Sequence, residues 1–359
     1  MNSKLYKLLW FGVSTFIIGI VIYLTDTQKF FNALSDADVL PLIPALIFGI
    51  LGFMVLGYTW HRFLRKIDLS VSYLESFRLF LGGQFLNSVT PLGQFGGEPF
   101  MAYIIKKHTE SSYEEAFSAV LSADIVNGTP MLTFVIGSVA YLYLIGELST
   151  EIVNSFYVII AIAAIGAFFV YLMWFQSSRM ESYLRTFAGF FKKILGKITS
   201  DDGSEEEKDS EGSVRDRVDE IKDAFRTIGE NPRQLFVTAG YTHLFFVFQV
   251  VSLFIILKYS LGFRESRVAV LFVVIAISNL ANFTPTPGGT GAYEVGMAGL
   301  MDLLMGTNFE LALSASILFR LTTFWPGLIL GYLSIITLDT AVEGDKVGEE
   351  LDANESPGE

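Results

Sequence analysis

Thr284-Pro285-Thr286-Pro287-Gly288-Gly289-Thr290-Gly291-Ala292-Tyr293-Glu294 is a stretch with two prolines and three glycines between two apolar runs. Proline removes a backbone N–H and clashes with the preceding turn, and glycine adds backbone freedom, so no regular helix continues through it. The flanking runs, Val268 to Ala281 and Val295 to Met305, contain almost no polar residues. In lipid, irregular backbone survives only where protein or water satisfies its polar groups. The meaning of the stretch therefore depends on whether the chain lies in a membrane.

Composition places the chain in a membrane. Hydrophobic residues make up 52% of the 359 residues, charged residues 17%, and the mean hydropathy is +0.48, values typical of integral membrane proteins. The formal charge of −12 comes from two segments: Asp201 to Glu211, with seven acids and one lysine, and Asp339 to Glu359, with eight acids and one lysine. The remainder is almost neutral, so no basic surface suggests a nucleic-acid partner.

The chain lacks the residues that characterise several classes of enzyme. The chain has no cysteine and only three histidines, which stand at no metal-ligand spacing. It has no Gly-x-Ser-x-Gly element and no Walker loop, so hydrolase and NTPase functions have little support. We therefore expect no catalytic residue, no metal and no cofactor.

Six apolar runs are long enough, at about 20 residues, to cross a hydrocarbon core. They are residues 8–24, 39–60, 115–145, 152–175, 234–257 and 311–338. Two further apolar segments, residues 77–105 and 268–305, are interrupted by proline and glycine. We predict an all-α polytopic membrane protein with six full spans and two re-entrant broken-helix hairpins. The basic clusters favour a plasma-membrane protein with both termini in the cytoplasm.

Four regions follow from this pattern. Residues 1–175 form an N-terminal membrane half that holds the first hairpin, and residues 234–338 form a C-terminal half that holds the second. Between them, residues 176–233 combine amphipathic cytoplasmic helices with an acidic linker at 200–212. We expect that linker and the acidic tail, residues 339–359, to be disordered.

The two halves share an internal repeat. An offset of 196 residues carries Thr90-Pro91 onto Thr286-Pro287 without a gap. The same offset also aligns Gly93 with Gly289, Glu98 with Glu294, Met101 with Met297, Glu114 with Glu310 and Pro130 with Pro326. With the predicted topology the second copy is inverted, as in many secondary transporters, whose sites lie at the repeat interface near the bilayer midplane.

Two charged residues lie deep inside predicted spans. The same offset carries Asp124 onto Arg320, and a charge at such depth costs at least about 2.5 kcal/mol and needs a partner or water. The two can pair with each other. Alternatively, Arg320 pairs with a glutamate, or clamps a lipid phosphate bidentately.

Glycine-rich loops that open half-helices expose backbone N–H groups to anions such as lipid phosphate. We therefore predict a headgroup-binding site made of Thr90, Pro91, Gly93, Gly96, Gly97, Thr286, Pro287, Gly288, Gly289, Gly291 and Arg320. The alternative is that the glycines only permit the turns. Asn87, Asn127, Asn279 and Asn282 either line the same polar cavity or satisfy broken backbone.

Glu98 and Glu294, with Asp124, are candidates for gating or for proton or ion coupling. Both glutamates fall in the first turn of a half-helix. The alternative is that each only stabilises that N-terminus, worth about 0.3–1 kcal/mol.

Pro287-Gly288-Gly289-x-Gly291-x-x-Glu294, together with Pro91-x-Gly93-x-x-Gly96-Gly97-Glu98, resembles the flippase-like membrane region of lysylphosphatidylglycerol synthases. The resemblance covers about residues 8–338 and includes stand-alone bacterial and archaeal members. In the synthases this region is linked to moving aminoacylated lipid between leaflets, while a separate soluble domain makes that lipid. The chain ends at Glu359 with a short acidic tail, so lysyl transfer is not implied. Related regions accompany archaeal glycosyltransferases, which widens the range of possible lipids.

We expect a lipid flippase or related secondary transporter, with a phospholipid or a polyprenyl-linked lipid as its ligand. One alternative is a membrane-embedded enzyme that acts on a lipid headgroup, with Glu98, Glu294 or Asp124 as general acid or base. The other is a scaffold for a separate lipid-modifying enzyme or glycosyltransferase.

Overall fold

The structure is a computed structural model that describes residues 31–32, 34–65, 72–89, 98, 101–106, 112–146, 232–284 and 286–337. The predicted spans at 8–24 and 152–175, the cytoplasmic helices, the acidic linker and the acidic tail lie outside these residues. Within them the chain is helical. The helices are α1 (Leu42–Leu64), α2 (Tyr73–Val89), α3 (Tyr113–Leu144), α4 (Pro232–Ile255), α5 (Val268–Ser278), α6 (Ala292–Met305) and α7 (Phe309–Thr323).

Four helices in the described part of the chain are long and apolar enough to cross a membrane. They cover Leu42–Leu64, Tyr113–Leu144, Leu235–Ser260 and Phe309–Thr337. Each coincides with a span predicted from hydropathy, so the all-helical, membrane-spanning class is confirmed. The full number of spans stays a prediction.

The outer faces of these helices carry large apolar side chains. On α1, Ile43 and Ile47 are more than half exposed, and beyond α7, Trp325, Ile329 and Tyr332 are exposed at helical spacing. Contiguous apolar surface of this kind is unfavourable in water but expected against lipid chains.

The second interrupted segment is a helical hairpin. Helix α5 is followed by a 3-10 turn over Asn279–Phe283 and another over Pro287–Gly289, and α6 returns. At the base, the Arg267 side chain donates a hydrogen bond to the Leu304 carbonyl oxygen at 3.1 Å. The two ends of the segment therefore lie side by side, as a hairpin requires. That it is re-entrant stays a prediction.

Glycines shape the tip of this hairpin. Gly288, Gly289 and Gly291 have φ values of +58°, +67° and +89°, where an L side chain is strained. A Cβ on Gly289 would lie 2.6 Å from the Ala281 carbonyl oxygen, and one on Gly288 would overlap the Phe324 ring. The interpretation that the glycines permit the turn is therefore correct for these positions.

The first interrupted segment is described in part. Helix α2 ends at Val89, directly before Thr90, while Glu98 and residues 101–106 are helical again. Helix α2 begins at Tyr73, four residues before the predicted boundary. Ser72 explains the earlier start, because its backbone N–H donates to Glu75 Oε2 at 2.7 Å and its hydroxyl accepts from the Glu75 N–H, as in a capping box. The turn at residues 90–97 lies outside the described residues.

The two halves have matching local structure at the offset of 196 residues. Helices α3 and α7 begin at Tyr113 and Phe309, and their N-caps Ser112 and Asn308 accept hydrogen bonds from the equivalent backbone groups of Glu115 and Leu311. One turn later, the Ser118 and Ser314 hydroxyls donate to the carbonyl oxygens of Glu114 and Glu310. The same chain segments therefore form the same helix starts twice.

The described residues form two apolar cores, one centred on each half. One core combines α1, α2, residues 101–105 and the first part of α3, and the other combines the end of α3 with α4 to α7. Equivalent residues occupy equivalent places, with Met101, Ala102, Ile105, Ala116 and Ala119 in the first core and Met297, Ala298, Met301, Ala312 and Ala315 in the second. These matches support a duplicated unit, whereas its inverted orientation stays a prediction.

Small residues let the helices approach closely. Gly49 of α1 packs on the Thr322 carbonyl oxygen, Gly327 faces the Phe53 ring, and Gly331 faces the Leu81 carbonyl oxygen of α2. Both glycines of Gly327-x-x-x-Gly331 thus lie at helix contacts, as this pattern predicts.

Candidate functional site

A cavity of about 420 Å³ lies between the two halves and is lined by residues of α1, α2, α3, α4, α6 and α7. This volume falls in the range of small-ligand sites. Among the described residues that line it, the charged side chains are Glu98, Asp124 and Arg320, and the amides are Gln84, Asn87, Asn127, Gln249, Asn279 and Asn282. Aromatic side chains form much of the remaining wall, among them Phe53, Trp60, Phe80, Phe245, Tyr293 and Phe324. The site therefore combines a few convergent polar groups with a largely apolar wall.

Among the described residues that line this cavity, Arg320 is the cation, and it is buried. Its Nε donates to Glu294 Oε1 at 3.1 Å. Its Nη2 donates to the Gly288 carbonyl oxygen at 2.8 Å and lies 3.4 Å from the Thr290 hydroxyl. Arg320 therefore fastens α7 to the tip of the second hairpin.

Two aromatic rings hold the guanidinium. Its central carbon lies 3.6 Å from the centroid of Phe324 and 4.8 Å from that of Tyr293, distances typical of cation–π contacts. These rings fix the plane of the guanidinium while its edge contacts the hairpin. A planar donor group held in this way is suited to a carboxylate or a phosphate.

Glu294 has two partners, one for each carboxylate oxygen. Oε2 accepts a hydrogen bond from the Gly291 backbone N–H at 2.6 Å, which caps the start of α6, and Oε1 accepts from Arg320. The N-terminal role considered from the sequence is therefore observed, together with an ion pair. Of the partners considered for Arg320, the structure forms the pair with a glutamate. Asp124 is not its partner.

Asp124 lines the same cavity together with Glu98. Glu98 is 8% exposed. Asp124 Oδ2 is inaccessible to solvent and accepts no hydrogen bond from the described residues. These two acids therefore face the cavity from the N-terminal half.

The other predicted residues are placed as follows. Gly288 lines the cavity, while Gly289, Gly291 and the backbone of Pro287 form the turn beside it. Thr286 is buried in the same turn, where its hydroxyl is 3.0 Å from that of Thr284. Thr90, Pro91, Gly93, Gly96 and Gly97 lie outside the described residues. All four asparagines considered above line the cavity.

Several cavity residues were not anticipated. Tyr293 and Phe324 hold Arg320, and Gln84 and Gln249 add amides from α2 and α4. The amides carried a usable signal, because Gln84 and Gln249 are uncharged polar residues inside apolar helices. The aromatic residues carried none, since 14% of the chain is aromatic.

The long apolar helices and their lipid-compatible outer faces define an integral membrane protein. The chain belongs to the family described as the lysylphosphatidylglycerol synthase TM region, which matches residues 8–331. It is 26% identical over 334 residues to a UPF0104 membrane protein of Pyrococcus horikoshii, a match that covers 93% of this chain and 97% of the relative. It is also 21% identical over 329 residues to a UPF0104 membrane protein of Methanothermobacter thermautotrophicus, covering 90% of this chain and 94% of the relative.

Proposed function

We propose that the chain is a lipid flippase or related secondary transporter, which moves the headgroup of a membrane amphiphile between leaflets through the cavity. The observation that carries the proposal is the cavity itself. Both halves line it: Arg320 belongs to the C-terminal half, and Glu98 and Asp124 belong to the N-terminal half. A headgroup that leaves water needs polar partners inside the membrane, and the charged and amide side chains supply them.

Arg320 binds the anionic part of the headgroup. A guanidinium presents the same fork of N–H donors to a carboxylate and to a phosphate, so a lipid phosphate takes the place that Glu294 holds beside Arg320. Because Arg320 also bonds the Gly288 carbonyl oxygen, the exchange of partners loosens or tightens the hairpin tip. The ligand is a phospholipid or a polyprenyl-linked lipid, two classes that share this phosphate chemistry.

The duplicated unit supplies a route for alternating access. Transporters built from inverted repeats expose a central site to each side in turn as one repeat rocks against the other. The matching cores and helix starts of the two halves support such a pair of units, with one re-entrant hairpin from each side. The protein lies in the plasma membrane with both termini in the cytoplasm, as the basic clusters favour.

The test is reconstitution of the purified full-length chain into liposomes that carry a fluorescent phospholipid or a fluorescent polyprenyl phosphate. We expect inner-leaflet fluorophore to be lost to an outside quencher faster than in protein-free liposomes. Arg320→Ala should abolish this increase in rate. Absence of translocation for every probe, with and without ion gradients, would overturn the proposal. Conversion of a single lipid into a new product would assign a membrane-embedded enzyme instead.

A further inference from the structure

Amide side chains from several elements meet in the cavity. Six of the described residues that line it carry a carboxamide: Gln84, Asn87, Asn127, Gln249, Asn279 and Asn282. They come from α2, α3, α4 and the turn that follows α5. Outside the cavity, Asn32 is exposed and Asn308 caps α7. Because separate parts of the chain bring the six amides to one place, a partner shared by all of them explains the arrangement better than six local roles.

Other protein groups leave most of these amides unpaired. Within the described residues, no hydrogen bond is made by the side chains of Gln84, Asn127, Gln249, Asn279 or Asn282. Gln249 is only 9% exposed, and Asn127 Oδ1 is buried without a donor. A buried polar group without a partner costs free energy. These asparagines therefore do not satisfy the broken backbone of the described residues, and the amides find their partners in what fills the cavity.

The chemistry of a carboxamide discriminates among headgroups. Its carbonyl oxygen accepts hydrogen bonds and its NH2 group donates them. A phosphate offers acceptors only and an ammonium offers donors only, so each leaves one end of every amide unpaired. A hydroxyl both donates and accepts, so neighbouring hydroxyls satisfy both ends of an amide. The carboxylates of Glu98 and Asp124, which line the same cavity, also accept from hydroxyls.

We infer that the cavity selects lipids whose phosphate carries an uncharged polyhydroxyl group, such as glycerol, inositol or a single sugar. This inference rests on the proposed function and names the class of headgroup. Arg320 binds the phosphate, and the amides bind the hydroxyls beside it. The cavity of about 420 Å³ suits one such group, because this volume is typical of sites for small ligands.

Binding of short-chain lipids to the purified full-length protein in detergent, measured by isothermal titration calorimetry, tests the selection. Dioctanoyl phosphatidylglycerol and dioctanoyl phosphatidylpropanol are a matched pair, because only the first carries hydroxyls on its headgroup. We expect phosphatidylglycerol to bind about tenfold more tightly, the effect of one or two added hydrogen bonds. Dioctanoyl phosphatidylethanolamine, which carries an ammonium, should bind as weakly as phosphatidylpropanol.

Two further probes identify the polyol. Tighter binding of dioctanoyl phosphatidylinositol than of phosphatidylglycerol would support the inference and assign an inositol. Tighter binding of a prenyl phosphate that carries one glucose would support it and assign a sugar. Equal affinities for phosphatidylglycerol and phosphatidylpropanol, or tightest binding of phosphatidylethanolamine, would overturn it.

Asn127→Leu tests the amide itself. It should abolish the difference between phosphatidylglycerol and phosphatidylpropanol, whereas phosphatidylpropanol should still bind because Arg320 is intact. It should also raise Tm, since it removes a buried amide that has no protein partner. A merely structural amide would instead lower Tm and weaken both lipids equally.

The matched control is Asn32→Leu, which makes the same chemical change at an exposed amide and should keep the difference between the two lipids. Gln249→Leu repeats the test from α4. If Asn127→Leu and Gln249→Leu both keep the full wild-type difference, the inference is wrong.

Translocation of the same two headgroups, with a fluorophore on the acyl chain, separates this inference from the proposed function. If wild type prefers phosphatidylglycerol in binding but moves neither lipid in liposomes, the polyol site stands and the flippase proposal fails. If wild type binds both lipids equally and moves them at equal rates, the polyol site is wrong and the flippase proposal stands.

Discussion

Arg320 Nε lies 3.1 Å from Glu294 Oε1, and each side chain is only 6% exposed. Removing one partner of such a buried pair leaves an uncompensated charge, which typically costs about 3–5 kcal/mol. We expect Arg320→Ala to lower the free energy of unfolding by roughly that amount and to abolish lipid translocation. Denaturant unfolding in detergent measures the first effect and the liposome assay the second. Arg264→Ala, at an exposed arginine between α4 and α5, is the control and should change neither.

The double variant Arg320→Met/Glu294→Gln separates stability from transport. It removes both charges together, so it should be more stable than Arg320→Ala, because no buried charge is left unpaired. We expect it still to move no lipid, since the phosphate ligand is gone. Wild-type translocation by this variant would show that Arg320 serves only the fold.

Replacing a glycine at the hairpin tip by alanine should change the stability of the protein in the opposite direction from replacing a glycine within a helix. Gly289→Ala places a Cβ 2.6 Å from the Ala281 carbonyl oxygen at a φ of +67°, and left-handed backbone alone costs roughly 1–2 kcal/mol for an L residue. Gly299→Ala, in the middle of α6 with open space around it, should instead stabilise by about 0.5–1 kcal/mol. Thermal unfolding of both variants checks this, and equal shifts of Tm in the two variants would contradict the tip geometry.

The two repeat-related N-caps should be interchangeable. Ser112 and Asn308 each accept a hydrogen bond from the backbone N–H three residues ahead, so Ser112→Ala and Asn308→Ala should each destabilise the protein by about 1 kcal/mol. Exchanging them, as Ser112→Asn and Asn308→Ser, should have almost no effect, because both residues cap helices well. If exchanging the two residues destabilises the protein as much as alanine does, the caps serve something other than the helix starts.

Opposite insertion of the two hairpins can be tested by labelling. The chain has no cysteine, so a single introduced cysteine reports its own side of the membrane without background. Glu75→Cys, near the start of the first hairpin, should react with an impermeant maleimide from the cytoplasmic side, and Glu265→Cys, near the start of the second, from the outside. Labelling of both from one side would rule out an inverted repeat.

The parts of the fold that could be predicted from the sequence are those that a single type of residue marks. Four spans and the interruption after Ala281 followed from hydropathy and from proline and glycine, which act through the local backbone. The repeat offset was also readable, because Pro, Gly and Glu matches are rare inside apolar segments.

The contacts between side chains in the cavity could not be predicted from the sequence. The offset placed Asp124 and Arg320 at equivalent depths, and opposite charge favoured pairing them. Arg320 instead binds Glu294, because the second hairpin brings that glutamate to α7. The rings of Tyr293 and Phe324 add contacts that depend on side-chain direction, which hydropathy does not encode.

The hydrogen bond at the base of the second hairpin has a consequence for biosynthesis. The apolar helical stretch Val268–Asn282 is about 22 Å long at 1.5 Å per residue, too short to cross a core of about 30 Å alone. It must therefore leave the insertion machinery together with α6, as one unit closed by Arg267. Its tip stays unanchored until Arg320, made 26 residues after Glu294, has been synthesised.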